Sequence, residues 1–233
     1  MNEFFRFPHT SHLLWLGEGE PRGDKVLMAH ELDELLSHEL VVEEKLDGAN
    51  LGISLNEAGE LQLQNRGSYL ERPYAGQFSR LGSWIGQHEY ILRSELNPSL
   101  ILFGEWCAAQ HSLDYASLPD WFLLFDVYDR DSGRFWSSER RNAFARKLGF
   151  AVVPELTRGR FDQDGLTALL ARANSRYRTG PVEGIVLRAD MADWNAARAK
   201  LVNKDFVQAI EEHWRNRSIR WNQVNPGSGS EPV

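Results

Sequence analysis

Leu40-Val41-Val42-Glu43-Glu44-Lys45-Leu46-Asp47-Gly48-Ala49-Asn50-Leu51-Gly52-Ile53-Ser54-Leu55 decides how the rest of the chain is read. Two apolar-rich runs flank an Asp-Gly pair, the composition of a strand, a tight turn and a second strand. Asp47 can accept hydrogen bonds within the turn, and Gly48 lets the backbone approach a ligand closely. Lys45, at the end of the first strand, gains partial burial and a fixed direction. Its amine, with an ordinary pKa of about 10.4, attacks phosphorus only where burial or neighbouring cations lower that value. A strand end with a surface lysine and a plain turn fits the same four residues.

Further strand signals follow. Glu60 to Asn65 alternates apolar and polar residues, the mark of a half-buried strand. Leu100 to Glu105, Trp121 to Val127 and Val182 to Arg188 are continuous apolar runs suited to buried strands. Helices are expected between them: Gln77 to Leu96, Ser137 to Leu148 with Gly149 as its stop, Asp164 to Ala173, and Asp205 to Trp214. Strands with irregularly inserted helices imply an α+β fold with mainly antiparallel sheets. No Gly/Pro/Ser-rich linker interrupts residues 1–224, which read as one domain, and residues 225–233 read as a flexible tail.

The 233 residues, 42% hydrophobic and 25% charged, suffice for a globular core. No apolar run approaches the roughly 20 residues of a membrane span, and the N-terminus lacks the pattern of a signal peptide. A single cysteine, Cys107, excludes an intrachain disulfide and a multi-cysteine zinc site, and reads as a buried small hydrophobe. A cytoplasmic protein is the expectation. The net charge of −7 disfavours nonspecific nucleic-acid binding, yet Arg198, Lys200, Lys204, Arg215, Arg217 and Arg220 gather near the C-terminus with Trp214 and Trp221. Such a mixture suits a surface that follows phosphates and stacks bases, or a solvated helix face with two core tryptophans.

Several charged residues interrupt the apolar runs. Glu105 follows Phe103-Gly104, Glu183 precedes Gly184, and Asp126 ends Phe122-Leu123-Leu124-Phe125. Carboxylates are seldom buried unless paired or metal-bound, so acids beside strand glycines suggest a pocket floor; solvent-facing strand ends are the alternative. For Asp126 a solvent-facing position or a structural hydrogen bond is the better reading. Arg198 and Lys200, two apart on a strand, share a face and can reach one phosphate, or form a basic edge that blocks strand pairing. His9 and His12 lack a third ligand for a metal, which favours a loop over the pocket. Ser137 to Arg141 reads as a helix cap with an exposed basic pair.

Taken in order, Lys45-Leu46-Asp47-Gly48, Phe103-Gly104-Glu105, Phe122-Leu123-Leu124-Phe125-Asp126, Glu183-Gly184-Ile185-Val186 and Arg198-Ala199-Lys200 resemble motifs I, III, IIIa, IV and V of the covalent nucleotidyltransferases. These comprise ATP-dependent DNA and RNA ligases and mRNA capping enzymes, and the RNA ligase 2 family is the most similar. The resemblance spans roughly Val41 to Phe206 and implies the ligase nucleotidyltransferase fold, related to ATP-grasp, with antiparallel sheets flanking an AMP pocket.

It also implies an enzyme that seals a 5′-phosphate to a 3′-hydroxyl, using ATP with Mg2+ or Mn2+ on RNA ends or a nicked duplex, in repair. Lys45 would form lysyl–AMP and release pyrophosphate. Glu105 would contact the ribose, Phe122 would stack on adenine, and Glu183 would hold the metal. Arg198 and Lys200 would neutralise phosphates. Glu44 would join the nucleotide site, and Asn50 and Arg66 would serve the AMP phosphate and the RNA end. DNA ligases usually carry arginine where Asn50 stands, which favours RNA.

In three respects the chain departs from the pattern. Arg198 replaces a lysine, and a shifted register would enlist Lys204. Arg66 is placed by approximate spacing. Only about 27 residues follow Phe206, where DNA ligases and capping enzymes carry an oligonucleotide-binding barrel and RNA ligase 2 proteins a helical domain. Arg215, Arg217, Arg220 and the tryptophans would then hold RNA, or a partner protein would supply the missing domain. The alternatives are a DNA ligase, a GTP-using capping-type enzyme, and a noncatalytic nucleic-acid binder with the same fold.

Overall fold

The computed structural model describes residues 4–19, 21, 25–204, 206 and 218–229. Along the chain lie α1 (Ala29–Leu36), β1 (Leu40–Lys45), β2 (Ala49–Leu55), β3 (Leu61–Gln64), α2 (Leu81–Glu95), β4 (Leu100–Trp106) and β5 (Phe122–Asp129). They are followed by β6 (Arg134–Phe135), α3 (Ser138–Leu148), β7 (Ala151–Val152), β8 (Glu155–Gly159), α4 (Gln163–Arg172), β9 (Gly184–Asp190) and β10 (Asn195–Val202).

β1 and β2 flank the Asp47-Gly48 turn as expected, yet they do not pair with each other. β1 belongs to a four-stranded antiparallel sheet in the order β10-β9-β1-β8. β2 belongs to a second sheet, β3-β2-β4-β5-β6, with β7 parallel beside β5. The turn therefore carries the chain from one sheet to the other, and Lys45 stands at the junction.

Strand alternation sorts the first sheet cleanly. Leu40, Val42, Ile185, Leu187, Ala199 and Leu201 pack against Leu35 of α1 and Leu166 and Leu170 of α4. The other face carries Glu43, Lys45, Val186, Arg188, Arg198 and Lys200, all of which line a cavity. In the second sheet Leu51, Ile53, Leu102 and Leu124 pack against Leu81, Trp84 and Ile85 of α2 and Ala145 and Leu148 of α3. Each such buried aliphatic side chain contributes roughly 1.5–3 kcal/mol. The opposite face presents Asn50, Glu105 and Phe125 to the same cavity.

An irregularity in β5 shapes this face. Phe103 pairs with Asp126 and Gly104 with Leu124, so Phe125 is an extra residue in the ladder. Its carbonyl accepts from Arg141 Nη1 at 2.6 Å and from Arg188 Nη1 at 3.3 Å. A bulge of this kind breaks the strict alternation and turns two consecutive side chains, Phe125 and Asp126, toward the cavity.

The helix termini follow local chemistry. Ser137 Oγ accepts the Arg140 N–H, and Gly149 closes α3 at φ 71°. The cap of α4 is Asp162, which accepts the Gly165 N–H; Asp164 sits in the first turn, where the helix dipole favours an acid. The helix expected from Gln77 divides into a 3-10 turn, Gly76–Phe78, and α2. α1 was not foreseen, and the helix expected over 205–214 lies, but for Phe206, outside the described residues. No helix among the described residues is long and apolar enough to cross a membrane.

Candidate active site

The cavity between the two sheets measures about 920 Å³, a size suited to a nucleotide. At the junction, Lys45 Nζ donates to both carboxylate oxygens of Glu183, at 2.7 and 2.8 Å. The register explains the contact: Lys45 lies opposite Gly184 in the β1–β9 ladder, which brings Glu183 alongside. Glu105 faces Lys45 from the other sheet and accepts the Gly48 N–H at 3.0 Å. A Cβ on Gly48 would lie 2.7 Å from the Trp106 carbonyl, so only glycine fits where the turn meets β4.

Electrostatics hold the amine protonated. Burial alone would depress Lys45, but the charges of Glu183, Glu105 and Asp47 outweigh it, and the lysine pKa is raised. This reverses the expectation that the pocket lowers it. The reason is that three acids crowd the amine. Burial also raises Glu183 against the pull of Lys45. Glu105 is pushed up to about 7 by burial, partly offset by Lys45 and reinforced by Glu183 and Asp47.

Asn50 sits opposite Glu105 on β2, and its side-chain oxygen is buried with no protein partner. Arg66 is exposed at the tip of the turn after β3 and lines the cavity rim. Lys200 lines the cavity beside Glu183, and Lys204 does not. Thr10 and Phe7 bring the N-terminal segment to the cavity wall, as the loop reading of that segment anticipates.

Four assignments from sequence look different in place. Phe122 is fully buried on the outer face of its sheet, packed on Trp84 and Phe150 and against Gly104, and is absent from the cavity lining. The bulge puts Phe125 there instead, and no sequence pattern announces a bulge. Glu44 lines the cavity, but its carboxylate is turned to the Arg176 N–H, which it accepts at 3.0 Å. Arg198 is bonded to Asp126 and stacked between Phe7 and Phe135, so its charge is already committed. Arg141, expected on the surface, is 1% exposed and paired to Glu43 at 2.6 Å.

Arg188 was missed altogether. It is buried, bonds Asp126 at 2.7 Å and the Trp136 carbonyl at 2.9 Å, and lines the cavity floor. The usable signal was its register: Arg188 is four residues beyond Gly184, on the same strand face. Asp126 thus serves as a structural anion between two arginines. Arg215, Arg217 and Trp214 lie outside the described residues. Trp221 is half-buried beneath Arg80, 4.1 Å from its guanidinium, and packs on the core, which removes it as an open stacking platform. Asn225 is tied by its N–H to the Leu118 carbonyl, at the start of the expected tail.

Among the described residues no group of three or more His, Cys, Asp or Glu could enclose a metal. Glu183 is not itself in the cavity lining, but both its oxygens sit on the Nζ of Lys45, which lines the cavity. Magnesium-type sites commonly take one or two carboxylates and complete their shell with phosphates and water, so the donor set fits such an ion bound together with a polyphosphate.

No curated protein matches the chain. Among solved structures it is similar to a Naegleria gruberi RNA ligase with pyrophosphate, at 17% identity and TM-score 0.56, covering 92% of this chain and 64% of that one. It is also similar to an archaeal ATP-dependent RNA ligase, at 20% identity and TM-score 0.57, covering 88% and 50%. A mutant of the Naegleria enzyme with ATP and manganese gives 16%, TM-score 0.55, and coverage of 77% and 54%. The chain thus spans half to two thirds of the length of these ligases, and the likeness establishes the nucleotidyltransferase fold. The family model described as RNA ligase matches residues 38–202, which include every motif from Lys45 to Lys200. With that match over most of its length, the chain belongs to the RNA ligase family.

Proposed function

We propose that this chain is an ATP-dependent RNA ligase whose Lys45 carries AMP, which it passes to a 5′-phosphate before a 3′-hydroxyl displaces it. The observation that carries the reading is the placement of one lysine amine at a two-sheet junction, 2.7 Å from Glu183, in a nucleotide-sized cavity. In the first step the ammonium sheds one proton to solvent, the Nζ–Pα bond forms, the bond from Pα to the pyrophosphate oxygen breaks, and the nitrogen gives its second proton to solvent or the departing pyrophosphate. Glu183, already hydrogen-bonded to Nζ, keeps the amine aimed at the cavity. A divalent ion on Glu183 would take the carboxylate's charge off the amine and help neutralise the phosphates. Lys200 and Arg66 add positive charge for the polyphosphate, and alignment with charge neutralisation is most of what phosphoryl transfer asks of a protein. Phe125, with Val153 and Val186, offers the apolar wall for the base. Asn50, with its unpartnered oxygen, and Glu105 face the sugar-phosphate side.

Incubation with ATP labelled at the α-phosphate tests the first step. Label retained on the protein from ATP, absent with GTP and lost in Lys45→Ala, is the expected result. A folded protein that takes no label overturns it and favours a noncatalytic binder. Sealing of nicked duplexes with RNA or DNA 3′-hydroxyl strands tests the rest; equal use of both strands removes the case for RNA.

A further inference from the structure

We propose that residues 220–225 form a strap that positions Lys45, with Asn222 as its anchoring residue; the catalytic consequence rests on the reading of Lys45 as the nucleophile. The strap lies beyond Val202, where the family match ends. The turn after Lys45 is not held by a hairpin, because β1 and β2 enter different sheets. It is held by the irregular segment between β4 and β5. Ser112 and Leu113 donate their N–H groups to Asp47 Oδ2, both at 2.7 Å, and Tyr115 Oη accepts the Asp47 N–H at 2.8 Å. An irregular segment cannot satisfy its own backbone groups, so something must fix it before it can fix Asp47.

Asn222 does so. Its side chain accepts the Tyr115 N–H at 2.8 Å and donates to the Cys107 carbonyl at 2.8 Å and the Ala109 carbonyl at 3.4 Å. It is 4% exposed, and its own N–H donates to the Ala108 carbonyl at 2.9 Å. Neighbouring bonds complete the strap: Gln110 N–H to the Arg220 carbonyl, Gln223 N–H to the Tyr115 carbonyl, and Leu118 N–H to the Gln223 carbonyl. One amide side chain therefore ties both ends of the segment 107–115. Tyr115 relays its position to Asp47, two residues from the nucleophile. Asn222 is a positioning residue and touches no substrate.

The test compares Asn222→Ala and Tyr115→Phe with the unaltered full chain. Three readouts are needed: the single-turnover rate of label transfer from ATP, the half-saturating ATP concentration, and hydrogen exchange at the amides of Asp47, Ser112 and Leu113. The rate at saturating ATP is expected to fall roughly 10- to 100-fold, the scale of a misplaced reacting group. Half-saturation should change less than about twofold, and the three amides should exchange faster while those of β4 do not. Tyr115→Phe removes only the hydroxyl and decides the matter if Asn222→Ala does not fold. The double variant should be no slower than the slower single one, since both break one relay. Unchanged rate and protection overturn the proposal, as does a loss of rate that merely follows global unfolding. Unaltered protein that takes no label overturns the nucleophile reading instead, and amide exchange then decides the strap by itself.

Discussion

At the scale of single residues the site is a balance of charge around one amine. Lys45 is held as an ammonium by three acids, and the carboxyl of one of them, Glu105, is pushed up to about 7. Its carboxyl sits at about 7 in the fold against an ordinary 4.5. A raised carboxyl means the folded chain binds the proton more tightly than the unfolded one. Stability from this residue is thus unaffected below pH 4.5, falls as pH rises from 4.5 to 7, and stays low above. At 1.36 kcal/mol per unit the loss is at most about 3 kcal/mol, less what solvent screening removes. Glu105→Gln keeps an acceptor for the Gly48 N–H and removes the titration. Melting temperatures of the two proteins should agree near pH 4.5 and separate above pH 7, with the variant the more stable. A constant gap across that range would show that Glu105 does not titrate there.

At the scale of elements, β5 decides which aromatic ring meets the ligand. Phe122→Ala should cost roughly 3–5 kcal/mol of stability, read as a lower urea midpoint, because it leaves a hole among Trp84, Phe150 and Gly104. Phe125→Ala should cost less stability than Phe122→Ala, since the ring is only partly buried, and should raise the half-saturating ATP concentration roughly 10-fold, the scale of one stacking contact. The reverse pattern would return the base to Phe122. This strand also shows where sequence stops being legible. Period-two alternation placed Arg198 with Lys200 on one face, and the glycines beside Glu105 and Glu183 marked the floor, because those signals are local. The bulge at Phe125 is set by pairing with β4, a partner some twenty residues away, and shifts every facing after it. The crossing of β1 and β2 into different sheets is equally nonlocal: an Asp-Gly turn between two strands looks the same in a hairpin. Arg141 was misread for a related reason, since its partner Glu43 lies on another element and only tertiary packing joins them.

At the scale of the whole molecule, the two sheets must stay apart at a fixed spacing for a nucleotide to fit between them. Apolar packing holds each sheet to its own helices, on the outer faces. Across the inner faces the links are largely ionic: Asp126 on β5 receives Arg188 from β9 and Arg198 from β10, and Arg141 on α3 reaches Glu43 on β1. Arg188 lies four residues along β9 from Gly184, roughly 13 Å from the Lys45 end. The cleft is therefore held at both ends, by these ion pairs at one and by the Asp47-Gly48 turn, bonded to Glu105, at the other. Such pins tolerate no half measures, because removing one partner leaves the other charge buried. Asp126→Asn should destabilise the fold by roughly 3–5 kcal/mol, with two arginines left facing a neutral amide. Denaturation in urea reads this as a lower midpoint with an unchanged slope. Capacity for ATP should fall as well, since Arg188 and Arg198 line the cavity floor and repel each other once Asp126 is neutral. A midpoint shifted by less than about 1 kcal/mol would mean that the aromatic packing of Phe7 on Phe103, Phe125 and Phe135 fixes the spacing by itself, with the charges incidental to it.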